Sequence, residues 1–144
     1  MKKILVSLSG GMDSATVLAL ALSDSRENQI EAVHFSYGSK HAQWEHVSAF
    51  WLAEHYVVNC RRVDLTSVMA HFRSDLLTTG GELPEGHYED ESMKRTVVPA
   101  RNLIFCSVLA GIAASEDFNE IWLGVHAGDH AQYPDTRPVF VGYM

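Results

Sequence analysis

The sequence predicts an α/β fold in which a doubly wound parallel sheet carries helices on both faces. Short apolar segments alternate with helical segments along the 144 residues, which is typical of repeated β–α units with right-handed crossovers. A loop with two glycines separates the first apolar segment from the first helical one. The length and a hydrophobic content of 47% indicate a single domain, 1–144, that buries about two thirds of its unfolded surface.

The predicted elements follow one another without an internal repeat. Strands are expected at 3–9, 30–36, 57–63 and 121–124, and helices at 13–23, 41–54 and 101–116, with a helical turn at 66–72. The helix from Arg101 carries large apolar side chains around most of its circumference, so we expect it to be buried, with Leu109 and Ile112 inside. Residues 78–96 form a long polar segment, which in a compact domain is usually functional or mobile.

Three further assignments concern single residue types. Trp44, Val47 and Trp51 recur at helical spacing in the segment 41–54. Four histidines are predicted to lie at the surface: His46, His55, His71 and His87. Cys106 falls in an apolar helical run and is predicted to be a core residue.

Composition excludes several functions. The formal net charge is −7 and no basic run occurs, so duplex nucleic acid is not an expected partner. No signal peptide or membrane span is recognised in the sequence, which predicts a cytoplasmic protein without membrane association. Cys60 and Cys106 are too few and too far apart for a disulfide framework or a zinc knuckle.

The segment SGGMDS at 9–14 indicates a phosphate site. A helix that starts directly after a strand and a glycine pair presents unpaired N–H groups and a positive dipole end to an anion. Asp13 would repel a bare phosphate, and Mg²⁺ between the two removes that repulsion. The segment therefore favours a magnesium–nucleotide complex, although Asp13 as a mere helix cap and the glycines as a mere turn remain the alternative.

Two other polar segments are expected at the same carboxyl edge of the sheet. Tyr37 ends the second strand beside the loop and either packs on a base or fills the strand. Arg101 follows VVPA at the start of a helix, where a cation is unfavourable unless it faces a phosphate or forms a surface salt bridge. Asn102 beside it is a candidate helix cap.

The segment 125–138 concentrates polar side chains after the last predicted strand. His126, Asp129 and His130 have the residue types of a metal site, but such residues also populate ordinary turns. A polar substrate loop is the favoured interpretation. Its candidate substrate-binding residues are His126, Asp129, Tyr133, Asp135 and Arg137.

These motifs resemble those of the 7-cyano-7-deazaguanine synthases, a family of ATP pyrophosphatases that acts in queuosine-precursor biosynthesis. The matching segments are SGGMDS (9–14), FSYGSKH (35–41), VVPARN (97–102) and GVHAGDHAQYPDTRP (124–138). The first motif is common to all ATP pyrophosphatases, whereas the last two are specific in this order and spacing. The resemblance implies the adenine nucleotide alpha hydrolase-like fold.

The resemblance also implies an ATP-dependent ligase reaction. ATP adenylates 7-carboxy-7-deazaguanine with release of pyrophosphate, ammonia displaces AMP to form an amide, and a second ATP converts the amide to the nitrile. When the roles of the family's motif residues are transferred to the matching positions, the resemblance implies that the nucleotide and Mg²⁺ are held by Ser9, Gly10, Gly11, Met12, Asp13, Ser14 and Tyr37. Asp13, Ser14 and Arg101 are the expected catalytic residues, Asp13 is the expected Mg²⁺ ligand, and segment 126–137 holds the deazaguanine. The resemblance leaves a homodimer open.

One feature departs from the family pattern. The family has a C-terminal region in which four cysteines bind Zn²⁺, and this sequence ends at Met144 without them. We therefore expect the N-terminal part of a family member without the zinc site. Two alternatives are a non-catalytic ATP-binding fragment and another ATP pyrophosphatase, such as a tRNA sulfurtransferase. The latter would require a cysteine pair and a basic surface, neither of which is visible.

Overall fold

The parallel sheet is confirmed by the computed structural model, which describes residues 1–24, 27–84, 91–125 and 133–144. Four parallel strands run in the order β3-β2-β1-β4. They are β1 (Lys3–Ser7), β2 (Gln29–Ser36), β3 (Asn59–Asp64) and β4 (Glu120–Trp122). From β1 the chain passes to β2 and β3 on one side and then crosses to β4 on the other side of β1. The crevice between β1 and β4 is therefore the switch point at which such folds bind ligands.

Helices cover both faces of this sheet. The helices are α1 (Met12–Asp24), α2 (Ala42–His55), α3 (Thr66–Met69), α4 (Arg101–Ser115) and α5 (Pro138–Tyr143), with 3-10 turns at Glu91–Thr96 and Pro134–Thr136. Side chains alternate along β1: Ile4 and Val6 pack in one buried cluster with residues of α1 and α2, whereas Leu5 packs with Leu109 of α4 in another. Because successive side chains of a strand point to opposite faces of the sheet, β1 contributes to a separate core on each face. Two cores, each covered by helices, confirm the doubly wound arrangement.

The apolar stripe of α2 faces outward. Trp44, Val47 and Trp51 are 72%, 55% and 61% exposed, and the helix packs on the sheet through the small residues Ala49 and Ala53. His46 on the same helix is not the surface residue predicted above, because it is half-buried and packs against the rings of His34 and Phe50.

Helix α4 packs on the sheet with one face only. Cys106 and Leu109 are buried as predicted, but the expectation of burial around the whole circumference is wrong: Leu103 is 42% exposed and Ile112 is half-buried. The third strand also starts later than predicted, since Val57 has a φ of 56° and forms part of the turn before β3.

The segment 94–115 is long and apolar enough to cross a membrane by length and composition. It consists of the end of a 3-10 turn, residues 97–100 and α4, and α4 contributes Leu109 and Ala113 to the core against β1 and β2. Packing against the sheet therefore accounts for the apolar residues on one face of this helix.

Part of the predicted polar segment is anchored rather than loose. Thr78 N–H donates to the Gly38 carbonyl (2.9 Å), and the Lys40 ammonium donates to the carbonyls of Asp75 (2.7 Å) and Gly81. Lys40 of the FSYGSKH motif thus secures the chain that leads towards Arg101. Residues 85–90 lie outside the described part of the chain.

Candidate nucleotide-binding site

The loop between β1 and α1 is braced by two serines. The Ser14 hydroxyl donates to the Gly11 carbonyl (3.0 Å) and accepts the Ser9 N–H (3.2 Å). The Ser9 hydroxyl oxygen accepts the Gly11 N–H (3.3 Å) and lies 3.1 Å from Ser14 Oγ. Ser14 is 5% exposed, so in this conformation its hydroxyl shapes the loop.

Gly10 and Gly124 permit close backbone approaches on either side of this loop. Gly10 has a φ of +90°, and a Cβ there would lie 2.7 Å from Ala49 N of α2. A Cβ on Gly124, just beyond β4, would lie 2.9 Å from the Asp13 carbonyl carbon. Glycine is therefore required at both positions. The missing side chains let α2 and the chain that follows β4 lie directly against the loop.

The loop opens into a cavity of about 350 Å³ at the carboxyl edge of the sheet. Its wall brings together segments that are distant in the sequence. The lining residues are Ser9, Gly11, Met12, Asp13, Ser14, Tyr37, Glu45, Leu76, Thr96, Arg101, Asn102, Gly124, Val125, Tyr133 and Thr136. A second cavity of about 240 Å³ shares much of this wall and extends to Phe35, His34 and Phe105.

A hydrogen-bonded network crosses the cavity wall from α4 to α2. The Arg101 Nη1 donates to the Tyr37 hydroxyl (3.2 Å), and that hydroxyl donates to Glu45 Oε1 (3.4 Å). The guanidinium also lies 5.6 Å from the centre of the Tyr37 ring. Tyr37 contacts the Phe105 ring edge-on, and Phe105 is stacked on Phe35, so apolar packing fixes the base of the network.

Backbone geometry directs Arg101 towards this network. Ala100, the residue before α4, has a φ of 53°, a left-handed conformation that costs a non-glycine residue of order 1–3 kcal/mol. Pro99 precedes it and restricts the approach. The surrounding structure therefore holds a strained turn that places the arginine at the cavity wall.

Burial changes the acidity of two groups in the network. Burial raises the pKa of the Glu45 carboxyl, and the neighbouring charges of Arg101 and His41 oppose that change. Burial likewise raises the pKa of Tyr37, against the effect of Arg101. The carboxyl group is thus easier to protonate than an exposed glutamate.

The family model for "Queuosine biosynthesis protein QueC" matches residues 3–144. The chain belongs to the QueC family. Curated relatives named 7-cyano-7-deazaguanine synthase include one from Desulfotalea psychrophila, 45% identical over 94% of this chain and 61% of the relative. One from Colwellia psychrerythraea is 42% identical over 99% of this chain and 64% of the relative. This QueC chain therefore spans about three fifths of the length of the curated relatives it matches.

Solved structures of two other proteins share the fold. The U34-tRNA thiolase NcsA from Methanococcus maripaludis, solved with its [4Fe-4S] cluster, has a TM-score of 0.61 at 19% identity, over 89% of this chain and 40% of its own. A predicted subunit of tRNA methyltransferase from Methanocaldococcus jannaschii has a TM-score of 0.51 at 14% identity, over 92% of this chain and 57% of its own. At these identities the likeness establishes the fold alone.

The structure brings most of the predicted nucleotide-site residues of this QueC chain together. Ser9, Gly11, Met12, Asp13, Ser14, Tyr37 and Arg101 line the main cavity, with Tyr133 of the predicted substrate group. Gly10 instead faces α2 and lines a separate shallow groove. His126, Asp129 and His130 lie outside the described residues, so the metal interpretation of that segment stays a prediction.

Asp135 and Arg137 are placed differently from Tyr133. The Asp135 Oδ2 accepts the Asn102 N–H (2.7 Å), and its carbonyl accepts the Asn102 side-chain amide (3.3 Å). The Asp135 side chain therefore caps the start of α4, and it lines a neighbouring cavity of about 730 Å³ with Leu103 and Phe140. Arg137 is exposed.

Among the described residues, no three His, Cys, Asp or Glu side chains lie close enough to hold a metal ion as a cluster. Burial raises the pKa of Cys60 to about 11 and also raises that of Cys106. A thiol acts as a nucleophile or a metal ligand in its thiolate form, and burial disfavours that form at both positions.

Seven lining residues were not among the predicted site residues. They are Glu45, Leu76, Thr96, Asn102, Gly124, Val125 and Thr136. The sequence signal for Glu45 is a carboxylate in the first turn of a helix, four residues after the FSYGSKH motif. Glu45 was overlooked because the prediction for that helix used only its apolar spacing.

Proposed function

We propose that this chain holds the nucleotide-binding site of a 7-cyano-7-deazaguanine synthase and catalyses its reaction. One observation carries the proposal: the SGGMDS loop, Tyr37, Arg101 and Tyr133 line one cavity in a chain of the QueC family. In the proposed reaction, ATP and 7-carboxy-7-deazaguanine give an acyl adenylate and pyrophosphate. Ammonia then replaces AMP to give the amide, and a second ATP activates the amide oxygen so that loss of AMP leaves the nitrile.

The charges of the cavity suit a magnesium–triphosphate. Asp13 lies in the first turn of α1 and lines the same cavity as Arg101. A carboxylate together with phosphate oxygens is a typical Mg²⁺ environment, so the residues present fit the ion. When bound, Mg²⁺ neutralises phosphate charge, while Asp13 holds the ion and Arg101 provides a second positive charge for the phosphates.

The acyl group is proposed to lie on the Tyr133 side of the cavity. His126, Asp129, Asp135 and Arg137 complete the proposed deazaguanine site, with a carboxylate accepting the N–H donors of the guanine-like edge. The cap that Asp135 provides for α4 links this segment to the helix that presents Arg101, which supports a common site for acyl group and nucleotide.

Product analysis with labelled substrate tests the reaction. The chain is incubated with Mg²⁺, ATP, ammonium and 7-carboxy-7-deazaguanine whose carboxylate carries ¹⁸O at both oxygens, and the products are examined by mass spectrometry. Each nitrile should be accompanied by two AMP molecules, each with one ¹⁸O atom, because both carboxylate oxygens leave on AMP. Pyrophosphate should carry no label.

Two results would contradict the proposal. Nucleotide binding without labelled AMP indicates the non-catalytic alternative. Transfer of sulfur to tRNA under matched conditions indicates a sulfurtransferase. The proposal also includes a cytoplasmic location and a homodimer. Sedimentation of the purified chain measures its assembly state directly.

A further inference from the structure

The main cavity contains a carboxylate that binding of a magnesium–triphosphate does not require. Its charged lining residues among those described are Asp13, Glu45 and Arg101. Asp13 is accounted for by Mg²⁺, and Arg101 by phosphate. Glu45 has no role in this assignment. The charges of Arg101 and His41 partly offset its own, but once Arg101 is occupied by phosphate the carboxylate would repel that phosphate unless a further cation or a proton is located beside it.

The orientation of Glu45 is set by its neighbours. Tyr37 donates its hydroxyl proton to Glu45 Oε1, and Arg101 donates to the oxygen of the same hydroxyl. Because the guanidinium always donates, the tyrosine proton is directed towards the carboxylate. The Tyr37 ring is 5% exposed and is held by Phe105, so the acceptor has a fixed position in the wall.

The proposed reaction needs a cation at such a place. At neutral pH most ammonia is present as ammonium, which has no lone pair for attack on an acyl adenylate. A carboxylate within the cavity attracts ammonium and can remove one proton. The raised pKa of Glu45 makes the carboxylate a better proton acceptor than an exposed glutamate, although Arg101 and His41 oppose the shift.

We propose that Glu45 is the ammonium-binding residue and the proton acceptor that releases ammonia in this cavity. The inference rests on the proposed function above. In the step, one N–H bond of ammonium breaks and its proton passes to the Glu45 carboxylate. The nitrogen lone pair then forms the C–N bond, the bond between the acyl carbon and the AMP oxygen breaks with its electron pair on AMP, and the surplus proton on nitrogen passes to solvent.

The experiment separates adenylation from nitrogen transfer in Glu45→Gln. Adenylation is followed as exchange of labelled pyrophosphate into ATP that depends on 7-carboxy-7-deazaguanine. Amide formation is followed with ammonium and, separately, with hydroxylamine, a nucleophile that is largely unprotonated at neutral pH. The matched control is Glu54→Gln, which removes an exposed carboxylate from the last turn of the same helix.

We expect Glu45→Gln to exchange pyrophosphate within about threefold of the unaltered chain. Its kcat/KM for ammonium should fall about 100-fold or more, the usual contribution of a general base, while hydroxylamine capture should be retained. Glu54→Gln should match the unaltered chain in all three assays. The split between the two nucleophiles is a result that a purely structural role of Glu45 would not produce.

Three outcomes would overturn the inference. Equal losses with ammonium and hydroxylamine would mean that Glu45 shapes the cavity and does not move a proton. Loss of pyrophosphate exchange in Glu45→Gln, but not in Glu54→Gln, would assign it to the nucleotide instead. Absence of exchange in the unaltered chain would overturn the proposed function itself, and the inference with it.

Discussion

Asp13 is the residue whose charge most restricts what the SGGMDS loop can bind. It lies in the first turn of α1, is exposed, and lines the main cavity. A carboxylate at this position favours an anion only in the presence of a cation. The neighbouring serines differ from it, because their hydroxyl groups hold the loop itself.

Asp13→Ala should therefore lower the affinity for Mg-ATP about 10- to 100-fold, as expected for removal of a charged partner. In a magnesium-free buffer the same variant should bind ATP at least as tightly as the unaltered chain, because the repulsion is gone. Calorimetric titration in both buffers measures the two effects, and Asp24→Ala, at the other end of α1, is the control. Unchanged affinity with Mg²⁺ would remove Asp13 from the site.

At the scale of elements, α4 has two functions that meet in one helix. Its middle packs against the sheet through Leu109 and Ala113, and its first turn presents Arg101 to the cavity. Its C-terminal end is held by Lys3, whose ammonium donates to the Glu116 carbonyl at 2.6 Å. Burial of the middle therefore fixes the position of the arginine.

Leu109→Ala should lower the free energy of unfolding by about 2–5 kcal/mol, because it opens a cavity in a fully buried position. Leu103→Ala in the same helix should cost less than about 1 kcal/mol, since Leu103 is 42% exposed. Urea unfolding of both variants measures the difference. Similar losses in the two would show that the burial assigned to α4 is incorrect.

The contact between Asp135 and Asn102 joins the segment after β4 to the start of α4. Asp135→Ala should destabilise the chain by about 1 kcal/mol through loss of a helix cap. Asp135→Asn retains an acceptor oxygen and should leave stability within about 0.5 kcal/mol of the unaltered value.

The asparagine variant also tests the proposed role of Asp135 at the substrate. If the carboxylate accepts hydrogen bonds from the deazaguanine edge, Asp135→Asn should weaken the binding of 7-carboxy-7-deazaguanine by up to about 100-fold and the binding of ATP much less. Separate titrations with each ligand decide this. Equal affinities in the variant and the unaltered chain would leave Asp135 with the cap alone.

At the scale of the whole molecule, acid should destabilise the fold in two stages. Burial lowers the pKa of His34 below 6.5, opposed by its hydrogen bond to the Leu8 carbonyl. The unfolded chain then binds more protons, so stability falls as pH drops below about 6.5. Hydrogen bonds lower the pKa values of Glu116 and Glu120 below 4.5, and their contribution is lost at lower pH.

His34→Gln should reduce the first stage, so that less stability is lost between about pH 7.5 and pH 5.5 than in the unaltered chain. Urea unfolding at both pH values measures it, with exposed His55→Gln as the control. The raised pKa of Glu45 changes stability with pH in the opposite direction. This contribution is the same in the variant and in the unaltered chain, so it cancels when the two are compared. An unchanged pH dependence in His34→Gln would show that His34 titrates alike in both states.

The order of elements followed from the sequence because strand and helix periodicities are local properties. The boundaries of β2 and α2 were predicted within a residue, and the strand–loop–helix context of SGGMDS was correct. The exposed stripe of α2 was not predicted, because Trp44 and Trp51 have the spacing of a core face, whereas Ala49 and Ala53 allow a closer approach to the sheet.

The sequence by itself determined the fold class, the strand–loop–helix context of SGGMDS with Asp13 at the start of the helix, and the family through motifs whose order is visible along the chain. Only the tertiary structure decided that Glu45 joins Tyr37 and Arg101, and that Asp135 caps α4. These partners lie 8, 64 and 33 residues apart. Local patterns do not encode such distances, which are set by packing two cores on opposite faces of one sheet.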